Sequence, residues 1–254
     1  MQFIRIFWGD FERYEHQIIE AKKDNLNEIV FVWGYDNYIK IKDLGYSCEL
    51  IDMQPYDYSI ANAHTFENHK SLIHKIKGIG IALEKYEEII FLDWDVKKVK
   101  NIDNHFYELI RKKQSDLQIP LYVYPKKAFK FLKHIIKDEM MQDFFTKLES
   151  FVSIYAYEDD DNYTIPNTGF VYCSDREIMD ELLEIIEVGG LQCIPDELSI
   201  MIYANVDIDN YIKEYEPLVI GSKEHGYDWW NYEEQKLLKY KNRLIKKSIY
   251  FEHF

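Results

Sequence analysis

The sequence predicts an α/β fold in which a mainly parallel central sheet is flanked by helices. Two observations predict it: a β-α-β pattern ending at Gly34, and a later apolar run, Ile89-Ile90-Phe91-Leu92. That run is too short for a helix and lacks polar alternation, so it reads as a strand buried on both faces. A third feature gives the fold a purpose. The run stops at Asp93-Trp94-Asp95, and the carboxyl ends of strands are where open α/β sheets bind ligands.

Phe3 to Trp8 reads as the first strand, closed by Gly9. Phe11 to Lys23 follows as a helix capped by Asp10, with Tyr14, Ile18, Ile19 and Ala21 near helical spacing. The second strand, Ile29 to Trp33, again stops at a glycine, Gly34. An aromatic residue at a strand's carboxyl end can stack on a nucleobase, and glycine leaves room for it. Trp8-Gly9 and Trp33-Gly34 are therefore candidate base contacts, although the same residues serve equally as core filling and turns.

After the short segment Tyr38 to Leu44, Tyr46 to Met53 reads as a third strand, followed by a polar loop from Gln54 to Thr65. In Phe66 to Lys85 the residues Leu72, Ile76, Ile79 and Leu83 recur at i, i+4, i+7 and i+11, so one helical face packs on the sheet. The same helix carries His69, Lys70, His74, Lys75 and Lys77. Right-handed β-α winding would aim its first turn at the crevice beside Asp93. His69 and Lys70 then become candidates to hold a diphosphate, with a solvated cationic face as the alternative. Asp93 and Asp95 can bear together on one hard cation, Mg²⁺ or Mn²⁺, which takes oxygen ligands and shares them with substrate phosphates.

Asn101 to Lys113 reads as a helix, Leu117 to Tyr124 as a strand interrupted by Pro120, and Pro125 to Glu149 as a packing helix with Phe129, Leu132, Ile136, Met140 and Phe144 in period. Phe151 to Tyr157 alternates like a strand and runs into Glu158-Asp159-Asp160-Asp161, a solvated loop or a second metal site. A Pro166-Asn167 turn then leads into the apolar strand Phe170 to Cys173, which places the Asn167 amide at the start of a core element. The helix Asp175 to Val188 is opened by Ser174 with Glu177 and closed at Gly189-Gly190. Another helix starts at Pro195 with Asp196 and Glu197 in its first turn, where the helix dipole favours acids. Glu214 to Ile220 reads as a strand and Trp229 to Lys247 as a helix with a basic face; Ser248 to Phe254 is a strand-like tail carrying His253.

Composition narrows the class. With 254 residues, 47% hydrophobic and 16% aromatic, and no repeat or linker, the chain is expected to form one unit, 1–254. A formal net charge of -14 argues against a general nucleic-acid surface, which needs many Lys and Arg contacts to phosphate. Cys48, Cys173 and Cys193 lie far apart without CxxC spacing, so neither a zinc site nor a disulfide framework is expected. With no signal-peptide core and no 18-residue apolar span, the expected location is cytoplasmic, with no membrane span.

Taken together, these residues resemble the nucleotide-sugar-dependent glycosyltransferases of the GT-A fold. Leu92-Asp93-Trp94-Asp95-Val96 is similar to that group's Asp-x-Asp motif. Asn167-Thr168-Gly169-Phe170 is similar to its Asn-x-Gly element, and Pro195-Asp196-Glu197 to the Asp-Glu helix start that follows. Phe251-Glu252-His253-Phe254 resembles the His-Phe element that supplies a third metal ligand in several retaining members, without the Gly and Lys-Pro-Trp that usually follow.

The resemblance implies a GT-A-like, Rossmann-like fold with a nucleotide-binding half, 1–115, and an acceptor- and sugar-binding half, 116–254. It implies transfer of a hexose from a nucleotide-diphosphate donor, UDP-linked by expectation, to a hydroxyl of a glycan, lipid-linked glycan, protein or modified nucleic acid. Phe7, Trp8 and Gly9 would lie near base and ribose, with Trp33, His69, Lys70, Asp93 and Trp94 completing the donor site. Asp93, Asp95 and His253 would hold Mn²⁺ or Mg²⁺, and Asn167 and Asp196 would face the sugar. Inversion would need Asp196 or Glu197 as base; the His253 ending favours retention. Two other readings stay open: a haloacid-dehalogenase-type phosphatase, which also ends a buried strand in Asp-x-Asp, and a non-catalytic carbohydrate-binding protein of the same fold.

Overall fold

Side-chain alternation along the first strand sets the layers. In β1 (Gln2–Phe7), Ile4 and Ile6 join one core cluster while Phe3 and Phe7 join two others on the opposite side, as a strand's period of two requires. The computed structural model describes residues 1–53, 72–112, 115–119, 121–126, 142, 146, 149–150, 153–154, 157–158, 162–189, 195–206, 220–222 and 250–253.

β1 pairs in parallel with β2 (Glu28–Trp33) and with β4 (Ile89–Leu92), and β2 pairs in parallel with β3 (Ser47–Asp52). β10 (Phe170–Cys173) runs antiparallel to β4 and to β6 (Leu117–Gln118), giving a six-stranded sheet of order β3-β2-β1-β4-β10-β6. All four residues of β4 are buried, so the apolar run does lie at the centre of the sheet. Two small sheets flank it. One contains β5 (Val96–Lys98), β11 (Ile220–Ser222) and β12 (Phe251–His253); the other contains β7 (Leu121–Pro125), β8 (Tyr157–Glu158) and β9 (Asn162–Pro166).

One face of the main sheet carries α3 (Ile73–Leu83), α5 (Arg176–Gly189) and α6 (Pro195–Val206), whose Ile76, Ile79, Leu182 and Leu198 share a cluster with Ile4, Ile6 and Phe91. The other face carries α1 (Phe11–Lys22), α2 (Tyr35–Asp43) and α4 (Asn104–Lys112), through Ile18, Ile41 and Phe106. α1 is capped as expected, Asp10 Oδ1 accepting from the Glu12 N–H at 3.1 Å. Close approach of α3 to β1 requires Gly78: a Cβ there would lie 2.7 Å from Ile6 Cδ1.

Several local expectations change. Leu117 to Tyr124 is two strands in two sheets, because Pro120 lacks the N–H that a continuous ladder needs. Pro125 ends β7, so a helix can begin no earlier than Lys126. Asn162–Pro166 is β9 and pairs antiparallel with β7, and the expected turn follows directly, ahead of β10. Ser153 and Ile154 are helical rather than extended. Asp175, not Ser174, caps α5: its Oδ1 accepts from the Glu177 N–H at 2.9 Å, while the Ser174 hydroxyl bonds Asp116. The expected features at His69, Lys70, residues 159–161, 214–219 and 229–247 lie outside the described residues. No helix among the described residues is long and apolar enough to cross a membrane.

Candidate active site

The site is built where β4 leaves the sheet. The Asp93 N–H donates to Gly169 O at 2.8 Å, which joins the aspartate turn to the loop before β10. That loop is shaped by Asn167, buried, whose Oδ1 accepts from the Gly169 N–H at 2.7 Å. The Asn167 side chain thus folds the loop that meets Asp93.

A buried lysine ties three elements together. Lys75 Nζ, on α3, donates to Asp93 Oδ2 at 2.9 Å and to Thr168 Oγ1 at 2.9 Å, and lies 3.0 Å from Asp196 Oδ2. The Thr168 hydroxyl in turn donates to Asp196 Oδ2 at 2.6 Å. Burial alone would lower the Lys75 ammonium, but Asp93 and Asp196 outweigh it and hold its pKa above the ordinary lysine range. Asp196 is 2% exposed, and its Oδ1 has no hydrogen-bond partner among the described residues. Burial, and then the neighbouring Asp196 carboxylate, push Glu197 well above the usual carboxylate range.

Asp95 follows in the same turn, which the Val96 N–H closes by donating to Asp93 O at 3.1 Å. Antiparallel pairing of β12 with β5 puts His253 in register with Val96, so the tail's backbone passes directly beside the aspartates. Two carboxylates and an imidazole are oxygen and nitrogen donors that suit Mn²⁺. Among the described residues no three His, Cys, Asp or Glu side chains converge as a cluster.

The aromatic candidates divide into two groups. Trp8 and Trp33, at the ends of β1 and β2, both approach the His74 ring, with centroids 6.3 and 5.0 Å away. Burial, then Lys77, lower the His74 pKa to about 4, so the ring is neutral. Asn37 pins the two Trp-Gly segments together, its Nδ2 donating to Gly9 O at 3.1 Å and to Trp33 O at 3.2 Å. Trp94 instead turns back over the sheet: its Nε1 donates to Ile6 O at 2.9 Å, and its ring packs edge-on against Phe7 and Tyr46. Phe7 is a core residue, 2% exposed.

The residues that sequence reasoning missed are Lys75, Thr168 and Asn37. Lys75 had a signal: it lies three residues after Leu72 and four before Ile79, the spacing of the buried face itself. Thr168 and Asn37 had none, since each depends on a contact 28 positions away in sequence.

The chain matches solved glycosyltransferase structures over its full length. Mouse xyloside xylosyltransferase 1 in its apo form gives a TM-score of 0.52 at 11% identity, covering 100% of this chain and 97% of that one. A glycosyltransferase involved in glycosylation of the major capsid of PBCV-1 gives 0.45 at 14% identity, covering 100% and 93%. The glycosyltransferase GlyE of Streptococcus pneumoniae gives 0.40 at 12% identity, covering 99% and 54%. The first likeness, with the mainly parallel six-stranded sheet, shows a GT-A-like fold. No protein-family model matches the sequence, and no curated protein matches it.

Proposed function

We propose that this protein is a glycosyltransferase that moves a sugar from a nucleotide-diphosphate donor, UDP-linked by preference, to an acceptor hydroxyl, with the whole chain 1–254 acting as one transferase domain. The observation that carries the reading is the buried Asp93-Lys75-Asp196 bridge at the carboxyl end of β4, next to an Asp196 oxygen that lacks a partner among the described residues. A buried carboxylate oxygen in that position suits a sugar hydroxyl, which donates a hydrogen bond that water would otherwise supply. Trp8, partly buried at the end of β1, offers a ring face for the base, while Trp33 is packed in the core beside His74.

Asp93, Asp95 and His253 would hold Mn²⁺ or Mg²⁺, which when bound supplies positive charge against the diphosphate. The remaining work falls to this chain's side chains. The acceptor oxygen bonds to the anomeric carbon as the bond from that carbon to the phosphate oxygen breaks, and the nucleoside diphosphate leaves with the electron pair. Lys75, whose ammonium lies 2.9 Å from Asp93 Oδ2, would add positive charge against the leaving oxygen. Asp196 and Asn167 orient the sugar. Burial raises the pKa of Glu197 and so disfavours the ionised form that a base must take. That favours retention, in which the leaving phosphate takes the acceptor's proton, over inversion through Glu197.

The test is a panel of nucleotide sugars screened for Mn²⁺-dependent hydrolysis, with thermal melting in Mn²⁺ and UDP. At one hundred times the dissociation constant, linkage raises stability by about 2.7 kcal/mol, a shift of about 5–10 °C for a chain of this size. Asp95→Asn should remove both the shift and at least about 100-fold of the hydrolysis. Sugar binding without metal or nucleotide would refute the enzyme reading and leave the non-catalytic one.

A further inference from the structure

We infer that Arg5, in the middle of the central strand β1, is a positioning residue that fixes the Asp93-Trp94-Asp95 turn. Its place is unusual. The side chain is fully buried in a parallel sheet, flanked on its own face by Phe3 and Phe7, where an apolar residue would fit at far lower desolvation cost.

Its five donors show where the charge is used. Nε donates to Glu28 Oε2 at 2.8 Å, and Nη2 lies 3.9 Å from Asp24 Oδ2. These acids balance the charge. The other contacts go to one turn: Nη1 donates to Asp93 O and Nη2 to Val96 O, the latter at 3.3 Å. The guanidinium carbon lies 5.3 Å from the Trp94 ring centroid, and the Trp94 Nε1 returns to Ile6 O, the residue after Arg5. One planar group therefore grips the carbonyls on either side of Trp94 and Asp95, and the ring between them. A planar fork can hold two carbonyls at fixed spacing, which a lysine ammonium cannot.

The grip extends to the tail. Asp24 Oδ2 also accepts from the Lys98 N–H at 2.8 Å in β5, the strand that pairs with β12 and brings His253 beside Val96. Arg5 and its counter-ion thus set both segments that carry the candidate metal donors. The consequence for metal binding rests on the transferase reading; the geometry of the turn does not.

The experiment compares wild type with Arg5→Lys, which keeps a positive charge against Glu28. Amide hydrogen exchange is read for residues 93–98 and for the neighbouring strand 28–33, and Mn²⁺ affinity is read by paramagnetic resonance. Loss of charge-assisted hydrogen bonds should speed exchange in 93–98 by about 10-fold or more, leave 28–33 unchanged, and weaken Mn²⁺ binding by about 10-fold, as for a lost outer-shell partner. Equal acceleration in both segments, or none in either, overturns the inference. Faster exchange confined to 93–98 when wild type binds no Mn²⁺ supports the positioning role and refutes the metal reading. Unchanged exchange when wild type binds Mn²⁺ does the reverse. Should Arg5→Lys fail to fold, Arg5→Leu combined with Glu28→Leu removes the buried pair together, and 93–98 is then read against residues 30–33.

Discussion

Lys75→Met removes the ammonium shared by Asp93 and Asp196 while keeping length and helix propensity. Nζ lies 2.9 Å from Asp93 Oδ2 and 3.0 Å from Asp196 Oδ2, and the three side chains are 5%, 27% and 2% exposed, respectively. Two unit charges 3 Å apart attract by about 5 kcal/mol at an effective dielectric constant of ~20, most of it offset by desolvation on folding. The variant loses something else: it leaves Asp196 as a buried carboxylate without a counter-charge. Breaking a buried pair in this way costs about 3–5 kcal/mol. Asp93, the more exposed acid, can rehydrate, which puts the cost at the lower end, about 3 kcal/mol. For a chain of this size that is a fall of about 6–12 °C in Tm.

A second substitution identifies the cause. Adding Asp196→Asn removes the stranded charge, so the double variant should recover most of the roughly 3 kcal/mol that Lys75→Met loses. Urea midpoints of wild type, Lys75→Met and Lys75→Met/Asp196→Asn read the cycle. A gap near zero for Lys75→Met, or no recovery in the double variant, would refute the claim that Lys75 compensates Asp196.

Gly78→Ala places a Cβ 2.7 Å from Ile6 Cδ1, and overpacking of this kind costs about 1–3 kcal/mol. Ile6→Val in the same chain removes that methyl but keeps Cγ1 and Cγ2 at 2.9 and 3.0 Å, so it should recover only part of the loss in urea unfolding; no recovery would place the strain elsewhere. His74, lowered to about 4 by burial, stays neutral while the unfolded chain takes up a proton below about 6.5. Stability should therefore fall as pH drops from about 6.5 towards 4, and His74→Gln should flatten that decline; an unchanged slope would assign it to other groups.

The sequence alone determined the sheet and put Asp93 and Asp95 at the end of its central strand, because both rest on short-range pattern. Unbroken short apolar runs such as Ile89 to Leu92 read as central strands, and Asp93 and Asp95 follow one. Helix Phe11–Lys22 was legible from its periodicity, and Arg176–Gly189 from the polar residues that open it and the glycines that close it. What tertiary structure decided were the partners. Lys75 looks like one more lysine on a basic helix until Asp196, 121 positions later, is brought within 3.0 Å of it. Trp94 looks like a ligand contact until Ile6 accepts its N–H. Arg5 looks misplaced in an apolar strand until the turn after β4 returns over it. A charge or an indole takes its role from whichever groups the folded chain sets against it, and pairing at that distance leaves no local periodicity to read.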